Sequence, residues 1–445
     1  MPFRHIYRAP FRLFRLIFFL ATVCLLLYWG LTRTRVGREA LREQLIQVFN
    51  QEFKGSIEIG KLQGNLLNEL FATRIVLKTP TGKVVATIDS LVASPDWWSM
   101  LEQTISIRQV TLFRPNITMH QHHSGIWDIL SVFEPRNKRT PNPNRIPWNF
   151  TSAEINLRQG IIQTSSDASP PRIVQEGQIF DFTHTKISDL NLSASLDWRK
   201  PYKLIDLTGL SFQLPKQGFT LRKAEGQLLF DENQAILNHF FLQAGGSSIR
   251  LRASARGNSF AAKPFNLALF KNAPFQINLQ QADIRANDWK TLFPKSPLQD
   301  LTIALKIRGQ NPSYTLENIA FRQGETIFSG RGEATTYRDS VSFRLGIMDN
   351  LLSVPDLERW LPNAGLASFR HLRKVNISLE GGGQMGLTNP DFSFKSNLRI
   401  RHPQTGEING FAHLRKSGNS PLFYKLDLNT NRLNLGFALQ NPQLT

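Results

Sequence analysis

A glycine run near the C-terminal end of the sequence has the spacing of a nucleotide-binding loop. Residues 381–386 read GGGQMG, which fits the G-x-G-x-x-G pattern and follows a predicted strand. In a dinucleotide site this loop leads at once into a helix, whose N-terminus faces the pyrophosphate. Here residues 387–390 lead into another predicted strand. The pattern therefore favours a glycine-rich hairpin connection over a nucleotide site.

Three neighbouring histidines, His120, His122 and His123, have side chains that can bind metal ions. Their spacing offers no fourth ligand, and the nearest acid along the chain is Asp128. Zinc sites in proteins use three or four ligands held in a fixed geometry. A polar strand end therefore explains these histidines better than a metal site.

The sequence offers no other set of residues suited to catalysis. It contains no H-E-x-x-H, G-x-S-x-G or P-loop motif, and its only cysteine, Cys24, lies in an apolar N-terminal stretch. Asp and Glu residues are scattered singly, without the pairing that acid–base catalysis uses. We predict that the protein is not an enzyme and has no catalytic residue, no metal and no cofactor.

The sequence is strongly basic, because 53 Lys and Arg residues against 34 Asp and Glu residues give a formal net charge of +19. Such a surplus favours polyanionic neighbours, either nucleic acid or anionic lipid head groups. Arginines often occupy the polar positions of predicted strands, as Arg250 and Arg252 do around Leu251, so solvated strand faces account for most of them. Nucleic-acid binding would need a basic patch interleaved with stacking aromatic residues in the cytoplasm. We therefore predict no nucleic-acid partner.

The N-terminal apolar stretch, residues 16–31, is uncharged and reads LIFFLATVCLLLYWGL. As a helix it would span roughly 24 Å, and the arginines before it can reach the head groups of a thicker bilayer. A cleaved signal peptide needs small residues before the cut, whereas this stretch ends with Tyr28, Trp29 and Gly30. We predict an uncleaved transmembrane helix anchored through Leu16, Phe19, Leu20, Val23, Leu26, Trp29 and Leu31.

The orientation of this helix is not fixed by charge. Arginines lie on both sides of the stretch, so the positive-inside rule gives nearly a tie. A short N-terminal tail is easily retained in the cytoplasm. We therefore favour a cytoplasmic N-terminus and export of the remaining chain.

Changes of periodicity divide the sequence into four parts. Apolar residues four apart, Leu41, Leu45, Phe49 and Phe53, predict an amphipathic helix that ends at Gly55, and alternation with a period of two then predicts strands. A Pro-, Asn- and Arg-rich stretch follows and predicts an exposed segment. The predicted parts are 1–35, cytoplasmic tail and anchor; 36–133, amphipathic helix and N-terminal β unit; 134–148, linker or long loop; and 149–445, repetitive β-sheet region.

Strand-like alternation dominates the chain, and helical periodicity after the first helix is confined to short segments. A helical turn is predicted at 97–101, before a strand over 104–119, and short helices are predicted at 289–293 and 355–361. Alternation gives each strand one apolar and one wet face. With few helices to cover it, the apolar face must be buried by the sheet itself, as a sandwich, barrel or folded-over groove, or be used for binding. A pair of ordinary β-sandwiches is the alternative on alternation alone.

The order of parts in the first 130 residues resembles the AsmA-like superfamily, and its TamB branch in particular. The shared order is an anchor, an amphipathic helix, and strands with glycines around the first strand and in the next turn. A helical turn and a strand that closes on a proline follow. The residues that carry the resemblance are Gly55, Gly64, Gly82, Trp97, Leu101, Pro115 and the Gly125-Ile126-Trp127 triplet.

This resemblance implies a fold and a location. Such proteins are similar to chorein-type bridge proteins, which are elongated, folded-over (taco-like) antiparallel β-sheets whose apolar inner groove carries lipid acyl chains. TamB-like members hang from the inner membrane of diderm bacteria into the periplasm and serve outer-membrane biogenesis. The resemblance thus implies three partners: phospholipid acyl chains, the inner membrane and an outer-membrane barrel protein. The family domain that meets the barrel has no counterpart in these residues, so we expect a truncated member or a piece of a longer protein.

Two functions fit these observations. The leading hypothesis is a mainly β, membrane-anchored lipid conduit that moves phospholipids along an apolar groove. The alternative is a structural or assembly scaffold that docks outer-membrane proteins through its edge strands, without lipid transport. The predicted groove lining consists of Leu192, Leu251, Phe275, Ile277, Leu279, Leu301, Ile303, Leu305, Ile307, Phe343, Leu345, Ile377, Leu379 and Phe394.

Overall fold

The computed structural model describes residues 34–65, 68–136, 149–167, 183–199, 202–257, 273–290, 299–360, 366–387, 391–418, 423–431 and residue 434. Its fold is mainly β, with extensive antiparallel pairing. The chain forms two compact units. Unit 1 comprises Met1–Ile173, Asp181–Arg199 and Ser211–Lys216, and unit 2 comprises Val174–Phe180, Lys200–Leu210 and Gln217–Thr445.

The predicted membrane anchor falls outside the described residues. Its residues are Leu16, Phe19, Leu20, Val23, Leu26, Trp29 and Leu31. Within the part of the chain that the structure describes, no helix is both long and apolar enough to cross a membrane. The transmembrane helix therefore stays a prediction.

The described part of unit 1 begins with a helix and continues as a mixed sheet. Thr34 caps the helix, because its hydroxyl oxygen accepts a hydrogen bond of 3.1 Å from the backbone N–H of Gly37. The elements are α1 (Arg35–Glu52), β1 (Ser56–Asn65), β2 (Glu69–Lys78), β3 (Val84–Asp96), the 3₁₀ helix η1 (Trp97–Glu102), β4 (Thr104–Phe113), β5 (Asn116–Gln121), α2 (Asp128–Val132), β6 (Asn149–Ser166) and β7 (Lys186–Trp198).

Helix α1 is the predicted amphipathic helix, and it covers part of the sheet. Leu41 packs against a buried cluster of Leu62, Ala72 and Ile75. Leu45, one turn further along the predicted apolar stripe, is 42% exposed. The helix therefore buries only part of the stripe that its sequence predicts.

The sheet of unit 1 departs from the predicted antiparallel order at β6. Strands β1 to β4 pair antiparallel in chain order, but β6 pairs in parallel with both β4 and β5. The strand predicted over 104–119 is divided, because Arg114 has a φ of 47° and Pro115 lacks an N–H for the ladder. Since β6 follows residues 134–148, the sheet continues past the division predicted there. Residues 137–148 themselves lie outside the described residues.

Unit 2 is a run of antiparallel hairpins. From β9 to β20, each strand pairs with the next strand along the chain. Strand β8 (Lys203–Leu214) has residues in both units. The other strands are β9 (Phe219–Phe230), β10 (Gln234–Ala244), β11 (Ser247–Arg256), β12 (Phe275–Ile284), β13 (Leu301–Gln310), β14 (Ser313–Gln323), β15 (Thr326–Thr336), β16 (Ser340–Ser353), β17 (Lys374–Gly386), β18 (Phe392–His402), β19 (Gly406–Lys416) and β20 (Phe423–Asn431).

Within the described residues, three short helices interrupt these hairpins: α3 (Ala286–Lys290), α4 (Val354–Trp360) and the 3₁₀ helix η2 (Leu366–Leu372). Helices α3 and α4 fall at the two predicted short helices, and each begins earlier than predicted. Their Asp288 and Asp356 carboxylates accept hydrogen bonds from the turns of neighbouring hairpins, at 2.9 Å from Gly246 N and 3.2 Å from Thr326 N. These helices therefore fasten the ends of strands.

The glycine run 381–386 lies inside β17, so the predicted hairpin connection is wrong. Strand β17 pairs along this run with β16 on one side and β18 on the other. A Cβ atom at Gly381 would overlap the carbonyl oxygen of Lys395 on β18. The glycines are thus explained by close approach of neighbouring strands, which sequence alternation does not reveal.

Candidate apolar binding face

One side of the unit 2 sheet is lined by apolar residues from many neighbouring strands. Directly opposed residues of an antiparallel pair point to the same side of a sheet. From β11 to β20 this rule connects one transverse row, in which each residue is the partner of the next. The row runs Leu251, Leu279, Leu305, Ile319, Gly330, Ile347, Leu379, Leu398, Gly410 and Leu428. We call the side of the sheet that contains this row the apolar face.

All but one of the predicted groove residues lie on the apolar face. The exception is Leu192, which lies in unit 1 opposite Leu157. Leu301 is buried, Ile277 is 37% exposed and the others are half-buried. The residues on the face are Leu251, Phe275, Ile277, Leu279, Leu301, Ile303, Leu305, Ile307, Phe343, Leu345, Ile377, Leu379 and Phe394.

Bulges keep apolar residues on this face where strict alternation would turn them away. The register of β12 shifts between Leu279 and Ala282, and that of β14 shifts between Leu316 and Ile319. One inserted residue changes the phase of a strand, so residues three apart then share a side. The apolar face is therefore continuous across β12 and β14.

Phenylalanine rings meet across a glycine on this face. Phe343 of β16 and Phe394 of β18 are both opposite Gly383 of β17, and their ring centroids are 5.9 Å apart at an interplanar angle of 14°. Strands that flank a common neighbour are about 9.6 Å apart, so the rings can meet only by leaning over the middle strand. Phe392 stacks beside them, with its centroid 6.4 Å from each ring. The missing side chain of Gly383 makes this aromatic cluster possible.

A second glycine has the same role among aliphatic side chains. Gly330 of β15 lies between Ile319 of β14 and Ile347 of β16. A Cβ atom built there would lie 3.2 Å from Ile347 Cγ2 and 3.7 Å from Ile319 Cγ2. The apolar side chains thus pack sideways against one another, which contributes to their half-buried state.

The opposite side of the sheet is charged. Glu317 lies 2.6 Å from Lys306 Nζ and 3.1 Å from Arg308 Nε. Glu407 accepts a hydrogen bond of 2.8 Å from Arg399 Nε, and this bond is the main cause that lowers the pKa of Glu407 to about 2. The two sides of the unit 2 sheet therefore differ sharply in polarity.

An open depression of about 680 Å³ lies on this charged side. Arg331, Glu333, Arg344, Glu380 and Asn397 line it. Successive partners in the register, Arg331 to Gly346 to Glu380 to Asn397, place these side chains away from the apolar face. Leu345, a predicted groove residue, also contributes to the lining.

The histidines near the end of β5 have a carboxylate neighbour that sequence analysis missed. His120 Nε2 lies 2.8 Å from Oδ2 of Asp167, and its Nδ1 lies 2.9 Å from the hydroxyl oxygen of Ser165. The hydrogen bond from His120 is the main cause that lowers the pKa of the Asp167 carboxyl. Asp128, the acid nearest in sequence, accepts a bond of 2.8 Å from the backbone N–H of His120. The parallel pairing of β5 with β6 brings these residues together.

This cluster has a partial metal-ligand set. Ligand atoms of His120, His122 and Asp167 lie within 4.8 Å of one another. Both ring nitrogens of His120 already contact protein oxygens, so a metal ion would have to displace one of them. The polar strand end explains the arrangement without an ion.

Part of the apolar face lies on strands that the predicted groove lining does not include. On β14, Leu316, Ile319 and Phe321 lie opposite Ile307, Leu305 and Ile303 of β13. On β20, Tyr424, Leu426 and Leu428 continue the face and are 67%, 51% and 43% exposed. Both strands could have been recognised as part of the face because they pair with strands whose apolar and polar residues alternate clearly.

The fold and this face define a mainly β protein with a long, accessible apolar surface. Comparisons with models of protein families, with curated proteins and with solved structures find no match to this chain. The resemblance to the AsmA-like superfamily therefore stays a prediction.

Proposed function

We propose that the protein is a non-enzymatic lipid conduit. In this proposal it is anchored in the inner membrane of a diderm bacterium, with its bulk in the periplasm, and it supports outer-membrane biogenesis. Phospholipid acyl chains move along the apolar face between membranes. The observation that carries the proposal is the row of apolar residues and two glycines from Leu251 on β11 to Leu428 on β20, in which most side chains are half-buried.

The short helices α3 and α4 of unit 2 are fastened at the ends of strands. Among the described residues, α3 has five residues and α4 has seven. Covering the remaining apolar area with an acyl chain would gain about 0.8 kcal/mol for each CH₂ group removed from water. A lipid chain thus supplies the covering layer that α1 supplies for part of unit 1.

The proposal includes a sheet that bends toward its apolar side and folds over to form a groove. Cβ atoms at Gly383 and Gly410 would overlap carbonyl oxygens of the next strand, Ser393 O and Asp427 O respectively. Both glycines lie on the apolar face. Such close approach of the next strand's backbone on one side supports a bend in that direction.

Crosslinking tests the proposal directly. A photo-crosslinking amino acid at Ile303, on the apolar face, is expected to form adducts with acyl chains when the full chain is in its native membrane. The matched position is Ala304, the next residue on the same strand, which points to the charged side. Equal lipid adducts at both positions, or only protein adducts at Ile303, would overturn the conduit.

A charge on the apolar face separates lipid binding from folding. Leu305→Asp would place a carboxylate against acyl chains, where its ionised form is costly, so bound phospholipid is expected to fall in native mass spectrometry while the sheet stays folded. Ala304→Asp is the control, because Lys306 is the next residue on its side of the strand. Thr302 suits less well, since its hydroxyl donates to the Asp283 carboxylate at 2.9 Å. Retained folding with unchanged lipid would contradict the proposal.

The scaffold alternative has an observation of its own. Strand β20 pairs with β19, and every residue of β20 is exposed. An exposed strand can pair with a strand of another protein by β-augmentation. Crosslinkers on β20 that capture only outer-membrane proteins, together with an absence of lipid adducts at Ile303, would favour the scaffold.

A further inference from the structure

The 3₁₀ helix η1 of unit 1 carries strongly exposed apolar side chains. Trp98 and Leu101 are each 80% exposed, and Met100 is 41% exposed. The turn is built firmly: Asp96 Oδ1 accepts from Trp98 N at 3.2 Å, and the Ser99 hydroxyl donates to Asp96 O at 2.7 Å. A rigid turn that holds tryptophan and leucine in water indicates a surface with an apolar partner.

Further apolar residues lie at the same end of the unit 1 sheet. Ile105 at the start of β4 is the partner of Phe150 on β6, which is the partner of Trp198 at the end of β7. Ile105 is 42% exposed and Trp198 is 37% exposed. Strands β4, β6 and β7 therefore extend the apolar surface of η1 across this end. We call η1 together with Ile105 and Trp198 the tryptophan end.

The first residue of α1 points to this same end. Asn50, late in α1, accepts from Ile57 N at 3.0 Å, whereas Arg42, earlier in α1, donates to Gly60 O at 3.0 Å. The helix thus runs antiparallel to β1, and Arg35 lies toward Asn65, where β1 ends. Asn65 is the partner of Glu69 at the start of β2. Strand β3 runs past the start of β2 before the chain continues into η1. The chain that precedes Arg35, with apolar residues 16–31, therefore joins unit 1 at the tryptophan end.

We propose that the tryptophan end docks on the phospholipid surface of the membrane that carries residues 16–31, with Trp98 and Leu101 inserted among the head groups. Tryptophan prefers the boundary between head groups and acyl chains, since its ring is apolar and its N–H can still bond to water. Val36, one residue into α1, is 79% exposed beside the same surface. The proposal assigns the driving force of this docking to the insertion of these apolar side chains.

This inference rests on the proposed membrane-anchored conduit and adds the place where unit 1 contacts its membrane. Docking there would hold unit 1 at a fixed angle to the bilayer, because two points of attachment restrict a rotation that one point permits. The contact has two attachments, the chain before Arg35 and the tryptophan end.

Site-specific fluorescence in phospholipid vesicles tests the docking. The full chain in a Cys24→Ser background receives Leu101→Cys, or His123→Cys as the matched control, and is labelled with an environment-sensitive dye. His123 is exposed and follows β5, whose end lies beside the end of β6, whereas Leu101 lies beside the start of β6. Phosphatidylcholine vesicles with doxyl-labelled chains are expected to quench the dye at position 101 and to leave the dye at position 123 bright.

High salt is expected to leave this quenching unchanged, because the contact is apolar. Adding Trp98→Ser should shift the emission at position 101 toward that of a dye in water. Equal quenching at both positions, or a blue-shifted dye at 101 without quenching, would overturn the docking; the second result would indicate a protein partner. The dye reports docking whether or not unit 2 carries lipid, so failure of the conduit and failure of this inference give different results.

Discussion

The strands of the two units carry the same apolar pattern but bury it differently. In unit 1, Leu62, Ala72 and Leu91 are successive partners on β1, β2 and β3. Leu41 of α1 packs against the cluster that contains Leu62 and Ala72. Leu62 and Ala72 are only 8% and 4% exposed. The difference from unit 2 teaches that alternation predicts which side of a strand is apolar, and that a covering element decides whether that side becomes a core.

The row of unit 1 also shows the transition within one sheet. It continues from Leu91 to Leu112, Leu157 and Leu192, which are half-buried. These residues lie on strands beyond those that α1 covers. Leu192, the predicted groove residue outside unit 2, therefore has the same half-buried environment as the residues of the apolar face.

A charge in the helix-covered region is the strongest test of this comparison. Ile75→Asp would bury a carboxylate in the cluster beneath α1, so we expect the free energy of unfolding to fall by about 3–5 kcal/mol. Leu305→Asp should cost less, about 1–2 kcal/mol, because its carboxylate can reach water. Denaturant unfolding of the full chain, with hydrogen exchange to assign each unit, measures both.

The control for the covered site is Thr73→Asp. Thr73 lies on β2 between Ala72 and Arg74. The φ of 51° at Arg74 changes which side of the sheet the following residues face. The partner of Thr73 on β1 is Lys61, so an aspartate there would face a positive charge. Equal losses for Ile75→Asp and Leu305→Asp would mean that the apolar face of unit 2 is a sealed core.

Much of the fold could be predicted from the sequence, because strand alternation and short helices are local signals. The apolar phase of β11, β13 and β18 and the turn at Trp97 fall where they were predicted. The parallel pairing of β6, the bulge between Leu316 and Ile319 and the approach of Asp167 to His120 could not be predicted, because each depends on a partner strand distant in sequence.

A glycine substitution tests how the apolar face is built. Gly383→Ala would force a Cβ atom against Ser393 O and between the rings of Phe343 and Phe394, so we expect a loss of about 1–3 kcal/mol. Thermal unfolding of the full chain measures it. Gly209→Ala on β8 is the control, because a Cβ atom there meets nothing within 4 Å. A loss no larger than that of the control would show that the strands at Gly383 have room for a side chain.

The smallest expected effect concerns the charged side of the sheet and depends on pH. The hydrogen bond from Arg399 is the main cause that lowers the pKa of Glu407 to about 2, and a bond from Asn409 adds to it. A lowered pKa in the folded state means that the unfolded chain binds the proton more tightly. The stabilisation from Glu407 is therefore complete above its ordinary pKa of 4.5 and is lost as the pH falls through about 2.

Glu407→Gln should therefore flatten the fall in melting temperature between pH 4.5 and about 2, the interval between the ordinary and the lowered pKa. Arg399→Gln should have a smaller effect of the same sign, because Asn409 and Arg401 still stabilise the carboxylate, and the double variant should flatten the fall no more than Glu407→Gln alone. Since Glu407 lies on the charged side, bound phospholipid should stay unchanged in all three variants. Lipid loss in Glu407→Gln would contradict the separation of the two sides, because it would mean that a charge on one side controls binding on the other.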